Sequence, residues 1–287
     1  MKYAFIQAHR QAHRLTQLCH VLEVSTSGFC DWLERPESNR SRENRQLTDK
    51  IRHYHEQSRE IYGSPKIHED LVDEGETCSV NRVARLMKAA DIKSKMARKF
   101  VITTDSKNTM QPAPDLLNRQ FTVDKHDKAW VSDTTFIGTR EGWLYLAVIL
   151  DLFSRQVIGW AMSTKNNTEL VQDALTMAVW RRGEINDVIV HSDQGSTYAS
   201  SRYQQQLSDN KLCCSMSRKG ECLDNAVAES FFGTLKNELV YHEDYKTRTQ
   251  ARQSVFEYIE VFYNRQRRHA FLNYMTPVEY EEHYACN

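Results

Sequence analysis

Several features that would sort a chain quickly are missing from these 287 residues. No apolar run approaches the roughly 20 residues needed to span a bilayer, so no membrane role is expected. The opening MKYAFIQAHR has no hydrophobic region with a cleavage site behind it, and it is read as carrying no secretory leader. The cysteines at 19, 30, 78, 213, 214, 222 and 286 are odd in number and contain no CxxC pair. That pattern argues against a disulfide framework or a structural zinc site and makes the reducing cytoplasm the expected compartment. His9 and His13 precede Cys19 and Cys30, but the two cysteines are too far apart to act as a ligand pair. There is no internal repeat, no low-complexity tract, and no heptad run long enough for a coiled coil.

An excess of charge is missing too, since 38 Lys and Arg balance 38 Asp and Glu. The balance hides an asymmetry. Residues 1–121 hold 20 basic against 16 acidic side chains, and residues 122–287 hold 18 against 22. The stretch NRVARLMKAADIKSKMARK (81–99) alone has seven basic residues and one acid. A basic front before a mildly acidic remainder suits a polyanion binder with a metal-dependent half, although a solvated helix face gives the same composition.

The front reads as helical. LTQLCHVLEVSTSGFCDWLER contains two short helical patterns broken at EVSTS, with Ser25 or Ser27 as a cap and Phe29 and Trp32 at i, i+3. This resembles a helix-turn-helix or a plain hairpin, and residues 1–43 are taken as one unit. Residues 44–102 read as three helices, the first over about 45–58, the second near Pro65, the third capped by Ser79. The third should bury Val83, Leu86 and Met87 and expose Arg82, Arg85 and Lys88, a cationic face suited to a DNA groove. Residues 103–120 read as a linker.

From Phe121 the texture changes. AWVSDTTFIGT, GWLYLAVILDLFS and RQVIGWAMS read as three antiparallel strands, and NTELVQDALTMAVWRRG as an amphipathic helix with Leu170, Ala174, Met177 and Val179–Trp180 inward. DVIVHSD is then a fourth strand parallel to the first, followed by a helix, a short fifth strand and the helix DNAVAESFFGTLKNELV. This is the ribonuclease-H-like order, an α/β fold with a mixed five-stranded sheet and helices on both faces, assigned to 121–240.

In that order Asp133 lies along the first strand and Asp193 ends the fourth, two neighbours at the sheet centre. Paired carboxylates there are costly unless a divalent cation joins them. On the following helix Asn225, Glu229 and Lys236 fall at i, i+4 and i+11, within about 40° of one another. Val227, Phe231 and Leu235 form the opposite, apolar stripe, which turns Glu229 away from the core. Asp151 is assigned to pairing with Arg155, Asp224 to capping the Glu229 helix, and Ser192 and His191 to local structure. In 241–287, a helical extension, Ala251, Val255, Tyr258, Ile259 and Phe262 share a stripe that should pack on the catalytic domain. YNRQRRH (263–269), with Arg265, Arg267 and Arg268, would then lie near the DNA.

Asp133, Asp193 and Glu229, with 35 residues between the last two and Lys236 seven beyond, resemble the DDE triad of insertion-sequence transposases in the retroviral-integrase superfamily. YGSPKIHEDL, VNRVARLMKAADI, EGWLYLAVILDLFSRQVIGW, VIVHSDQGS, SMSRKGECLDNAVAESFFGTLKNEL and YNRQRRHAFLNYMTPVEYE extend the resemblance over nearly the whole chain. It is to the second reading frame of the group whose transposase is fused by frameshifting. The resemblance implies DNA cleavage and strand transfer at the ends of an insertion sequence. It implies two Mg²⁺ ions, with Mn²⁺ as a substitute, held by Asp133, Asp193 and Glu229. It also implies Asn225 and Lys236 as DNA contacts, a homo-oligomer on DNA, fusion to the upstream frame, and a cytoplasmic, nucleoid-associated location. Gln194, Thr197, Glu221 and Leu223 depart from the family's habitual Arg, Gln, Asn and Tyr without touching the triad. Two other readings stay open: a nuclease of the same fold that joins nothing, and a DNA-binding regulator with a vestigial triad.

Overall fold

The computed structural model describes residues 2–95, 113–117, 122–217 and 225–285. Three short helices come first, α1 (Lys2–His9), α2 (Leu15–Val21) and α3 (Thr26–Glu34), packed around Ile6, Cys19 and Phe29 with Trp32 against them. Cys19 is thus a core residue. Ser25 is the cap of α3, its hydroxyl accepting the Gly28 N–H at 3.0 Å. The sequence pattern does not announce α1, which buries only Ile6.

Next come α4 (Asn39–Gln57), α5 (Ser64–Asp73) and α6 (Val80–Ala89). α4 starts at Asn39 rather than near 45, because the Ser38 hydroxyl accepts the Ser41 N–H at 3.1 Å. The expected boundary at 43/44 therefore falls inside a helix. α6 starts under the Ser79 cap, buries Val83 and Met87 and half-buries Leu86, as its spacing predicts.

The sheet is built from β1 (Ala129–Thr139), β2 (Gly142–Asp151) and β3 (Val157–Ser163), then α7 (Thr168–Arg182), β4 (Ile189–Ser192), α8 (Ser201–Asp209), β5 (Cys213–Met216) and α9 (Ala226–Glu238). Its order is β3-β2-β1-β4-β5. The first three strands are antiparallel, while β4 pairs parallel with β1 and β5 parallel with β4. A helical crossover before β4 demands that parallel pairing, whereas hairpins make the first three antiparallel. This is the ribonuclease-H-like order read from the sequence.

Period-two alternation gives the sheet two buried faces. Trp130, Ala147, Ile149 and Val190 meet α7 and α8 through Leu170, Ala174, Tyr203 and Leu207. Val131, Ile137, Leu144, Val148 and Leu150 meet α9 through Ala228, Phe231, Phe232 and Leu235. α10 (Arg248–Glu257) continues as a π-helical stretch, Tyr258–Tyr263, and α11 (Pro277–Ala285) ends the fold. Ala251, Val255, Tyr258, Ile259 and Phe262 are buried on the α9 face, and Leu47, Ile51, Ile67 and Leu71 of α4 and α5 join the same core. No described helix is long and apolar enough to cross a membrane.

The expectation for α7 needs one correction. Trp180 is 82% exposed, and the inner side is Leu170, Val171, Ala174, Leu175 and Ala178. Steps of about 100° carry position 180 some 240° away from Ala174, off the buried stripe. α7 comes very close to β3 at Gly159, where an added Cβ would stand 2.3 Å from the Ala174 carbonyl oxygen and 2.8 Å from Ala178 Cβ. Gly159→Ala should therefore lower stability by about 1–3 kcal/mol through overpacking, read as a lower urea midpoint. An unchanged midpoint would mean that α7 does not seat on β3 as described.

Candidate active site and nucleic-acid interface

β1 pairs Asp133 with Val148 of β2, and on its other side pairs Val131 with His191 of β4. Continued by two residues, that register sets Asp133 level with Asp193, the residue directly after β4, on chains about 4.8 Å apart while paired. By parity both acids sit on the α9 face. Glu229 lies in the first turn of α9, where the helix N-terminus favours a negative charge. The three acids thus converge on one face at one end of the central strand pair.

Their electrostatics report that convergence. Burial pushes the Asp133 carboxyl up to about 8, and the charges of Asp193 and Glu229 add to it, against one N–H from Thr134 at 2.7 Å. Asp193 is raised by burial and eased by the Gly195 N–H at 2.9 Å. Glu229 is raised by partial burial. Lys236, two turns along α9, places Nζ 5.2 Å from the Phe136 ring centroid, and its charge eases the ionisation of Asp133. Burial pushes Lys236 itself down. Among the described residues no three acids already stand as a closed metal-binding group. The donor set still fits a hard divalent ion: three carboxylates, all with raised proton affinity and two of them half-buried.

One neighbour carried no signal in the sequence. Tyr198, fully buried in the loop after β4, has its hydroxyl 3.1 Å from Ser132 Oγ. Its phenol is held well above its ordinary range by burial and then by the charge of Asp133. Asp151 is buried, accepts N–H groups from Asp127, Phe153 and Ser154, and lies 3.7 Å from Arg182, a partner added to the charge of Arg155. Asp224 and the departures at Glu221 and Leu223 lie outside the described residues.

The expected DNA contacts divide. Arg85 and Lys88 on α6, and Arg265, are exposed. Four others are engaged within the protein. Asn225 is only 5% exposed, and its Nδ2 donates to the Ser132 carbonyl at 3.4 Å, joining α9 to β1. Arg82 is tied to α4 by bonds of 3.0 and 2.8 Å to Asn44 Oδ1. Arg267 is buried, and its guanidinium grips Glu238 at 2.7 to 3.1 Å, while Tyr258 also donates to Glu238 at 2.7 Å. Arg268 reaches Asp70 of α5 at 2.6 Å and also Asp73. In each case a charged or polar head has found a protein partner, which the spacing of basic residues cannot reveal.

With that geometry established, comparison with known proteins gives concordant findings. Family models described as an integrase core domain match residues 124–222 and 229–284, and an HTH-like domain matches 41–100. The chain is 39% identical to the transposase InsF for insertion sequence IS3A of Escherichia coli K12 across 98% of each chain. It is 39% identical to the insertion element IS600 uncharacterized 31 kDa protein of Shigella sonnei, across 93% of this chain and 98% of that one. The HTLV-2 integrase catalytic core domain in complex with magnesium (dimeric form) aligns with 55% of this chain and 97% of its own, at 16% identity and a TM-score of 0.42.

The Arg267–Glu238 pairing has a measurable consequence. Arg267→Ala should cost about 3–5 kcal/mol of stability, because it strands the buried Glu238 carboxylate. Denaturant unfolding reads this directly. Normal stability with a shallower salt dependence of DNA binding would instead mark Arg267 as a phosphate contact.

Proposed function

We propose that this chain, which belongs to the insertion-sequence transposases built on an integrase core, performs its DNA cleavage and strand transfer at Asp133, Asp193 and Glu229. The observation that carries the assignment is their common face: two acids level on the central parallel pair, with the third on the helix laid over that face. Divalent metal ions held by these three acids, taken to be two Mg²⁺ with Mn²⁺ as a substitute, would supply Lewis acidity for activating a water or 3′-hydroxyl and for stabilising the leaving oxygen.

The chain's own groups do the rest. Asp133, whose ionisation the other two acids oppose, would hold the metal together with Asp193 and Glu229. Glu229 is exposed at the start of α9 and is the acid able to turn inward. Lys236 offers a point charge to a phosphate of the bound DNA end. No protein nucleophile is required. The Ser192 hydroxyl donates to the Asp193 carbonyl at 3.1 Å, and His191 Nδ1 lies 2.9 Å from Ser215 Oγ, so both serve the local fold.

DNA engages the HTH-like unit through Arg85 and Lys88, contacts that give affinity with little sequence information. We assign recognition of the element's ends to the fused product of an upstream reading frame, and assembly to at least two protomers, since two DNA ends must be joined.

Asp133→Asn, Asp193→Asn and Glu229→Gln should each lower joining of a terminal-repeat oligonucleotide by about three orders of magnitude, the loss expected for several kcal/mol of metal-borne stabilisation. Folding and non-specific DNA binding should persist. Appreciable joining by any of the three in Mg²⁺ would sink the assignment. The same assay with and without the upstream frame tests the fusion, and equal end discrimination by the two would refute it.

A further inference from the structure

β4 pairs with β1 only over Ala129–Val131, so among the described residues the outer part of β1 has β2 on one side and no strand on the other. On this open stretch, three residues along from Asp133, Phe136 is 39% exposed, and across the hairpin Trp143 is 53% exposed. Their rings meet edge to face, with centroids 4.8 Å apart at 75°. Gly138 stands opposite Trp143 in the register, with no side chain to cover the indole; a Cβ there would sit 3.5 Å from the ring. The backbone under Trp143 is pinned by the Arg248 guanidinium, which donates to its carbonyl at 3.1 Å. Lys236 Nζ lies 5.2 Å from the Phe136 ring.

We propose that Phe136 and Trp143 form a stacking platform for an unpaired nucleobase of the DNA strand held at the acids. The inference rests on reading Asp133, Asp193 and Glu229 as the reacting centre. Where the strand feeding that centre separates from its complement, the freed base loses its stacking partners. Two exposed aromatic faces return that stacking regardless of base identity, and the neighbouring ammonium matches the adjoining phosphodiester. Three residues of β1 span about 10 Å, and Phe136 has the opposite parity to Asp133, so the strand would pass round the unpaired edge of β1, where Lys236 of α9 already stands by the Phe136 ring. Two side chains fall far short of the roughly 800 Å² per partner that a stable protein interface buries, which favours a base over a second copy of the chain.

The test is binding by the full chain in chelator-containing buffer, where no chemistry occurs. The probes are a duplex with a three-nucleotide unpaired 3′ tail bearing 2-aminopurine, and the blunt duplex of the same sequence. The tail should raise affinity about tenfold, with quenching of the 2-aminopurine, as one stacked base allows. Trp143→Ala should cut the tail's advantage below about twofold and leave blunt-duplex affinity unchanged, and Trp143→Phe should restore most of it. Retained preference and quenching in Trp143→Ala would overturn the platform. So would an equal loss on both duplexes, or an altered oligomeric state with the tail preference intact. Asp133→Asn should quench the probe as the parent chain does. Joining by that variant would overturn the reacting-centre reading alone, so the two failures are distinguishable.

Discussion

The carboxylate of Asp133 sits in the middle of the central strand of a sheet, beside β2, just past the end of β4 and on the α9 face. Ionising it there costs enough to hold its proton up to about 8, and the charges of Asp193 and Glu229 increase that cost. A chain that only needed a stable sheet would fill this position with valine or leucine, as it does at Val131 and Val148. Three acids on one otherwise apolar face make sense only if something cationic compensates them during function. The parallel β1–β4 pairing and the path of α9 follow from the same demand, because together they bring acids distant in the chain to one place.

A second arrangement supports the first. The basic residues between Tyr263 and His269 mostly bind protein. Arg267 neutralises Glu238 at the end of α9 and Arg268 reaches across to α5, while Tyr62 donates to the Gln266 carbonyl at 3.0 Å. The C-terminal segment thereby seats the end of the acid-bearing helix and couples the HTH-like unit to the catalytic face. That leaves Arg85, Lys88 and Arg265 as the exposed basic residues among those singled out for DNA.

Much of this was legible in the sequence because it depends on local periodicity. Hairpin-length connections and one helical crossover are enough to give the strand order, and parity along β1 and β4 then puts Asp133 and Asp193 on one face. The cap at Ser79 is equally readable, whereas the choice between Ser25 and Ser27 falls to Ser25 only in the structure. What depends on long-range partners was not. Nothing in RQRRH distinguishes Arg267, clamped on a glutamate 29 positions away, from the exposed Arg265. Tyr198 lies in an aperiodic loop, so its place beside the acids emerges only from the packed structure. Trp180 lies in solvent because helical angle, not hydrophobicity, decides which residues at the end of α7 face the sheet.

The central claim is that the buried acids exist to exchange protons for a metal ion, and Mn²⁺ titration of the intact chain by electron paramagnetic resonance tests it most directly. A carboxyl held up to about 8 must release its proton before it can ligate, so affinity should rise by about tenfold per pH unit between pH 6 and 8. Asp133→Asn should remove that dependence together with most of the binding. Mn²⁺ affinity that is flat across this range, or unchanged in Asp133→Asn, would contradict the account.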